Sequence, residues 1–303
     1  MSSAGRLATR TGPVPVLVNP GSGSAARAID VLRSDSRFHL RQLDPLHIAD
    51  AVRAEAVTGT SRLIVCGGDG TLGVALAAAA GTPLEIAILP GGTLNHFARD
   101  IGLPHNDLPA ALELALSGDA RPVDLGYVNG HAILNTSSVG VYVDFVRHRE
   151  RLESWLSYRL ASVAAAFHVW RRALPVSIDL VTADGKRREV STPLLFVGIQ
   201  ERVLEGWTLG ERRQGGARAL HILVVKEHTP LRLHGLVLRA VIHGMRGMLS
   251  PRDVSITLSN GVVVNMPSAQ VKIAIDGELL TVSSPLHYEF IRGAVKVVCP
   301  RAS

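Results

Sequence analysis

Residues 63–104 read LIVCGGDGTLGVALAAAAGTPLEIAILPGGTLNHFARDIGLP, and the fold follows from how this stretch alternates. An apolar run, Leu63 to Cys66, breaks into Gly67-Gly68-Asp69-Gly70-Thr71; a second, Ile86 to Leu89, breaks into Pro90-Gly91-Gly92-Thr93-Leu94-Asn95. Each break precedes a helix-like segment. Short apolar runs bounded by glycine read as buried strands. Glycine removes Cβ and permits φ > 0, so backbone N–H groups can converge on an anion at a helix N-terminus. Two such loops this close predict one phosphate site, built twice.

Upstream, Val14 to Val18 is a third short strand. It ends at Asn19-Pro20-Gly21-Ser22-Gly23-Ser24, before a helix from Ala25 to Leu32. Phe38 to Leu43 reads as a strand, Ile48 to Val57 as a helix, and 109–116 as another helix. Strands alternating with helices imply a parallel sheet with right-handed crossovers, whose ligands bind beyond the strand C-termini. All three glycine loops are expected on that edge.

The alternation stops at Arg121-Pro122-Val123-Asp124-Leu125-Gly126, which places a domain boundary at 125/126. Beyond it, Asn129-Gly130 and Asp184-Gly185 each lie between apolar runs and signal hairpins. Further strands are expected at 194–197, 219–225, 254–258, 271–275 and 279–282. The fold class is therefore an α/β domain at 13–125 and a mainly antiparallel β domain at 126–293. Two helical stretches interrupt the second domain, 151–174 and 231–249, each with an apolar stripe and Arg or His on other faces. Such a stripe more often faces a core than a membrane. Residues 1–12 are small and polar and read as a disordered terminus.

At 303 residues the chain suits two cores, and with 47% hydrophobic but only 4% aromatic residues those cores are aliphatic. The net charge of +6 is uneven. Residues 1–125 carry 10 basic and 12 acidic side chains, 126–303 carry 22 and 14. The second half therefore attracts anionic surfaces. Nucleic acid is disfavoured, because no recognition motif or aromatic-basic interleaving accompanies the charge. Cys66 and Cys299 are far apart and lack metal-ligand spacing, which suits a reducing cytosol. No stretch of about 18 uncharged apolar residues occurs and the N-terminus has no apolar leader segment, so a soluble, cytoplasmic protein is expected.

The loops fit neither a P-loop, which ends in Gly-Lys-Ser/Thr, nor the full Gly-x-Gly-x-x-Gly dinucleotide pattern. The residue types point instead to a phosphate donor held by backbone amides, with Asp69 available to a hydrated Mg²⁺.

Taken together, Asn19-Pro20-Gly21-Ser22-Gly23, Gly67 to Thr71, Leu89 to Arg99 and Asp276-Gly277-Glu278 resemble the diacylglycerol kinase catalytic family, over about Val16 to Pro300. That family comprises bacterial lipid kinases with diacylglycerol, sphingosine and ceramide kinases. The resemblance implies a nucleotide-binding α/β domain, a β-sandwich domain, and a cleft in which Mg·ATP phosphorylates a lipid hydroxyl at a membrane surface. It also implies a final strand, Ala294 to Val298, that returns to the first domain. By motif position, Asn19, Gly67, Gly68, Asp69, Gly70, Thr71, Gly92, Thr93 and Asn95 hold or support the nucleotide, and Asp69 faces phosphates or metal. Asp276-Gly277-Glu278 reads on its own as a hairpin turn. Under the resemblance it supplies the base, Glu278, with Asp276 as alternative or partner.

Three departures stand out. Asn95-His96-Phe97-Ala98 replaces Asn-Asp-Phe-Ala, and Val197-Gly198-Ile199-Gln200 replaces Val-Gly-Asn-Asn. Gly215-Gly216-Ala217-Arg218 replaces a Leu-Asp-x-Gly turn whose acid helps hold a structural metal. Two alternatives remain at this point: an NAD kinase-like enzyme, sharing Gly-Gly-Asp-Gly, and a catalytically degenerate nucleotide-binding regulator.

Overall fold

The computed structural model describes residues 12–93, 95–140, 143, 175–203, 212–226 and 254–301. The two amphipathic stretches, the N-terminal segment through residue 11, and Leu94 lie outside them. The chain forms two compact units. One runs through Pro122 and regains the chain from Val295 onward; the other is Val123–Ala294.

The first unit is an α/β sheet. Strands β1 (Val14–Val18), β2 (Phe38–Gln42), β3 (Arg62–Gly67) and β4 (Glu85–Pro90) are parallel in the order β2-β1-β3-β4. Helices α1 (Ala25–Arg33), α2 (Pro45–Val57), α3 (Asp69–Ala79), α4 (His96–Asp100) and α5 (Leu108–Ser117) alternate with them. Val16, Ile64, Ala87 and Leu89 pack one sheet face against Ala28, Ile29 and Leu32 of α1 and Ala111 and Ala115 of α5. By pleat alternation Leu63 and Val65 face the other side, where α2 and α3 pack together. Strand β3 is buried along its whole length, hence its unbroken apolar run. Helices α2 and α5 start where Asp44 and Asp107 accept from the N–H groups of Leu46 (2.9 Å) and Ala110 (3.0 Å).

Arg62 pins the sheet edge opposite the loops. Its guanidinium is 4% exposed and donates to Glu85 (2.7 Å) and to the carbonyls of Ala115, Leu116 and Gly118. It thus satisfies the last carbonyls of α5, where a cation also meets the helix dipole favourably.

The second unit has two sheets. One is antiparallel, ordered β12 (Val254–Ser259), β11 (Leu220–Val225), β10 (Leu194–Ile199), β7 (Thr136–Gly140), β14 (Gln270–Ile275), β15 (Glu278–Ser283). The other contains β16 (Leu286–Cys299), β13 (Gly261–Asn265), β8 (Val176–Thr182) and β9 (Arg187–Thr192), with β5 (Asp119–Val128) beside β16 and β6 (His131–Ile133) beside β5. Val197, Ile199, Ile222 and Ile273 of the first sheet share one core with Leu180, Val264, Leu286 and Tyr288 of the second. Asn129 and Gly130, both at positive φ, make the expected two-residue hairpin between β5 and β6.

Three strands differ from the expectation. β7, Thr-Ser-Ser-Val-Gly, reads locally as loop; pairing with β10 and β14 on both sides makes it a strand. β13, for which no strand is expected, carries only a short Val262-Val263-Val264 signal. β16 is 14 residues long, not five; it starts in the second unit and its C-terminal part pairs in parallel with β4 through Lys296 and Val297.

Among the described residues no helix is long and apolar enough to cross a membrane. Cys66 and Cys299 are buried and form no disulfide, and burial pushes the Cys66 thiol up to about 12.

Candidate active site

In the first unit the loops after β1, β3 and β4 meet at the strand C-termini. Asn19 N–H donates to the Cys66 carbonyl (3.1 Å), Ser24 N–H to that of Gly91 (2.9 Å), and Gly91 N–H to that of Gly67 (2.9 Å). The Asn19 side chain bridges two loops: Nδ2 donates to Thr71 Oγ1 (2.9 Å) while Oδ1 accepts from Gly21 N–H (3.0 Å). Asn95, at φ 49°, closes its own loop by accepting from Gly92 N–H (2.9 Å) and donating to the Gly92 carbonyl (2.8 Å).

The glycines act differently from the expectation of positive φ. None of Gly67, Gly68, Gly91 and Gly92 adopts it. What matters is the missing Cβ. A Cβ on Gly92 would lie 2.7 Å from the Gly68 Cα, and one on Gly67 would lie 2.6 Å from the Thr71 side chain. Only backbone without side chains lets the β3 and β4 loops approach this closely.

Helix α3 begins with Gly68 as its N-cap, which offers no side-chain hydrogen bond to the helix. Its first N–H groups, on Asp69, Gly70 and Thr71, therefore present the positive end of the helix dipole without an internal capping oxygen. Thr71 is buried and Thr93 sits against Gly23, 3.2 Å from where a Cβ there would be.

Asp69 does not point only outward from this site. Its Oδ2 accepts from His96 N–H (3.0 Å) and its Oδ1 from Phe97 N–H (2.9 Å), so it caps α4 across the fold. His96, standing where an acid is common, contributes its backbone N–H to that cap. The carboxylate thereby fixes the two glycine loops to each other, with each oxygen retaining acceptor capacity.

In the second unit, Asp276 (φ 49°) and Gly277 (φ 93°) form a two-residue turn joining β14 and β15, with Ile275 opposite Glu278. The turn carries more than hairpin geometry. Asp276 Oδ2 accepts from Leu134 N–H and Oδ1 from the N–H groups of Asn135 and Thr136, all at 2.8 Å. Glu278, two residues on, is exposed. Asp276 thus anchors the turn to the start of β7, and Glu278 is the member of the pair presented to solvent.

Next to this anchor are two side chains that sequence reasoning missed. Asn135 is 5% exposed and neither its Oδ1 nor its Nδ2 has a hydrogen-bond partner; the Ser138 hydroxyl is likewise buried without one. A buried amide left unsatisfied is costly, which marks the neighbourhood of the turn as unusual. No sequence signal separates Asn135 from an ordinary loop asparagine.

Also missed was Asp124. It is 1% exposed and accepts from Gln200 Nε2 (2.7 Å), from Gly293 N–H (2.8 Å), and from both Nε (2.8 Å) and a terminal nitrogen of Arg218. Burial raises its pKa, but the Arg218, Gly293 and Gln200 hydrogen bonds outweigh that and hold it below the usual carboxylate range. A lone acid inside Val123-Asp124-Leu125 was the available signal, since a buried charge requires a partner. The turn at Gly215–Arg218 is organised without an acid of its own: Gly215 takes positive φ, Gly216 N–H donates to the Arg213 carbonyl (3.0 Å), and Ala217 N–H donates to Glu201 (2.9 Å). The donor set here does not fit the structural metal that the family resemblance implied.

The comparisons with known proteins agree with the motifs. Residues 13–128 match the diacylglycerol kinase catalytic domain. A diacylglycerol kinase of Mycobacterium tuberculosis is 35% identical over 202 residues, 62% of this chain and 65% of its own length. One from Bacillus subtilis is 25% identical over 234 residues, 75% of this chain and 74% of its own length. The chain thus aligns with just under two thirds of the mycobacterial relative. A crystal structure of a diacylglycerol kinase from Bacillus anthracis shares the fold, with a TM-score of 0.65 at 18% identity, covering 97% of this chain and 99% of that one.

Proposed function

We propose that this chain, whose residues 13–128 belong to the diacylglycerol kinase catalytic domain family, is a lipid kinase that transfers the γ-phosphoryl group of Mg·ATP to a hydroxyl of diacylglycerol or a similar lipid. The observation that carries the reading is the three-loop assembly, in which Gly68 and Gly92 bring backbone against backbone and Gly68, the N-cap of α3, puts no side-chain acceptor on the first amides of the helix. Phosphoryl transfer asks a protein mainly for positioning and for donors to the equatorial oxygens. The amides of Asp69, Gly70 and Thr71, with Thr93 from the facing loop, suit that demand, while Gly92, its own amide taken by Asn95, lets the facing loop come close. Asn19 and Asn95 keep those loops in register. Asp69, with acceptor capacity left on each carboxylate oxygen, would hold the water shell of a magnesium ion bound with the nucleotide, and that ion would supply positive charge to the phosphates.

The lipid hydroxyl oxygen forms a bond to the γ-phosphorus while the bond from phosphorus to the bridging oxygen of ADP breaks. Glu278 accepts the hydroxyl proton. Asp276 holds the turn that carries Glu278, through its three backbone bonds. The basic second half of the chain favours approach to anionic membrane surfaces.

The test is transfer of labelled γ-phosphate from ATP with Mg²⁺ to a mixed panel of lipid hydroxyls in micelles, with NAD as a soluble acceptor. A phospholipid product is expected and names the acceptor. Transfer to NAD alone would replace this reading by an NAD kinase, and ATP binding without any transfer would replace it by a nucleotide-binding regulator.

A further inference from the structure

The kinase reading uses none of the cluster around Asp124. One carboxylate on β5, 1% exposed, gathers donors from three other places: the end of β10 through Gln200, the turn before β11 through Arg218, and β16 through Gly293. Each oxygen accepts two of these bonds, so the four in-plane acceptor positions of the carboxylate are filled. Gln200 takes φ 63°, a conformation that costs a non-glycine residue about 1 kcal/mol or more, while its amide reaches Asp124. Arg218 is itself held in place, because Arg292 donates to its carbonyl (3.2 Å). Asp124 and Gly293 are the second residues in from the two ends of the second unit.

A buried carboxylate needs a cation. We propose that Arg218 is that cation, a built-in guanidinium that occupies the position a divalent metal would otherwise fill, so that the second unit is complete without a structural metal. The planar fork of arginine suits the task, since it delivers two parallel N–H donors and stays charged at every accessible pH. The replacement of an acid-bearing turn by Gly215-Gly216-Ala217-Arg218 is then one coupled exchange: the acid that would bind a metal is gone at Gly216, and a positive charge is supplied two residues on by Arg218.

The inference is tested by thermal unfolding of the full-length, nucleotide-free protein in EDTA and in excess Mg²⁺ or Mn²⁺, and so stands or falls apart from the kinase reading. The parent is expected to melt at the same temperature in all three. Arg218→Ala is expected to melt about 10 °C lower, because it strands a buried charge. Adding Asp124→Asn to Arg218→Ala is expected to recover about half of that loss. Arg218→Asp, which sets two carboxylates together, is expected to melt higher when Mn²⁺ is added. Where Arg218→Ala does not fold, Arg218→Lys keeps the charge without the fork and is expected to give a smaller drop. A parent that loses several degrees in EDTA and regains them with Mg²⁺, or an Arg218→Ala variant that melts like the parent, would overturn the proposal.

Discussion

Asp69 in the first unit and Asp276 in the second occupy matching places in their motifs, each beside glycine in a turn after a buried strand, and both accept backbone N–H groups from elsewhere in their own unit. Asp69 takes two, from the start of α4; Asp276 takes three, from the start of β7. The units diverge in what those anchors present. In the first, the anchored elements are loops whose surface is backbone, with glycine where a side chain would keep them apart. In the second, the anchored element is a turn whose next residue is an exposed carboxylate, Glu278. In the proposed reading, one unit offers amides to an anion and the other offers a base to a hydroxyl.

The comparison breaks most visibly at Glu278. Glu278→Gln is expected to lower kcat by about 10²–10⁴-fold, the range for loss of a general base, with an unchanged melting temperature because the side chain is exposed. Gly92→Ala attacks the other unit. Its Cβ would meet the Gly68 Cα at 2.7 Å, so the loops must separate; a stability loss of about 1–3 kcal/mol and at least a tenfold rise in KM for ATP are expected from denaturation and steady-state kinetics. Asp276→Asn should cost about 1–3 kcal/mol in urea unfolding, since one amide cannot accept all three N–H groups, and should reduce kcat less than Glu278→Gln does.

The smallest effect concerns His221, at the back of the second unit. It is buried, and its Nδ1 accepts from Arg202 N–H (3.1 Å), which requires the unprotonated atom. Burial lowers its pKa below 6.5; the Arg202 charge adds to this while Glu201 opposes it. The unfolded chain therefore binds the proton first, so His221 contributes its stability above about pH 6.5 and loses it as pH falls toward the lower folded value. The urea midpoint of the parent is expected to drop more between pH 7.5 and 5.5 than that of His221→Asn, which keeps an acceptor and does not titrate.

The first unit was legible almost element by element, because a parallel sheet covered on both faces writes its strands as apolar runs and its turns as glycine. Arg62 to Gly67 and Glu85 to Pro90 carry that pattern without ambiguity. The second unit was less legible. Thr136 to Gly140 is a strand only because β10 and β14 flank it, and such pairing leaves no local mark on Ser137 and Ser138. At the site, motif position named the residues but not their duties. Of the two properties that glycine offers a loop, a missing Cβ and access to positive φ, Gly67, Gly68, Gly91 and Gly92 use the first, and Asp69, expected to face phosphates or metal, also caps α4. Asp124 escaped notice because its partners, Gln200, Arg218 and Gly293, are 76, 94 and 169 residues away in sequence.

The central claim is the division of labour between an amide-built nucleotide site and a carboxylate base. Its most direct test is equilibrium binding of Mg·ATP, measured for the parent, Glu278→Gln and Gly92→Ala beside phosphoryl transfer to the lipid acceptor. Glu278→Gln is predicted to bind ATP as the parent does and to transfer almost nothing, while Gly92→Ala loses binding. Full transfer by Glu278→Gln, or ATP binding lost in that variant and intact in Gly92→Ala, would contradict it.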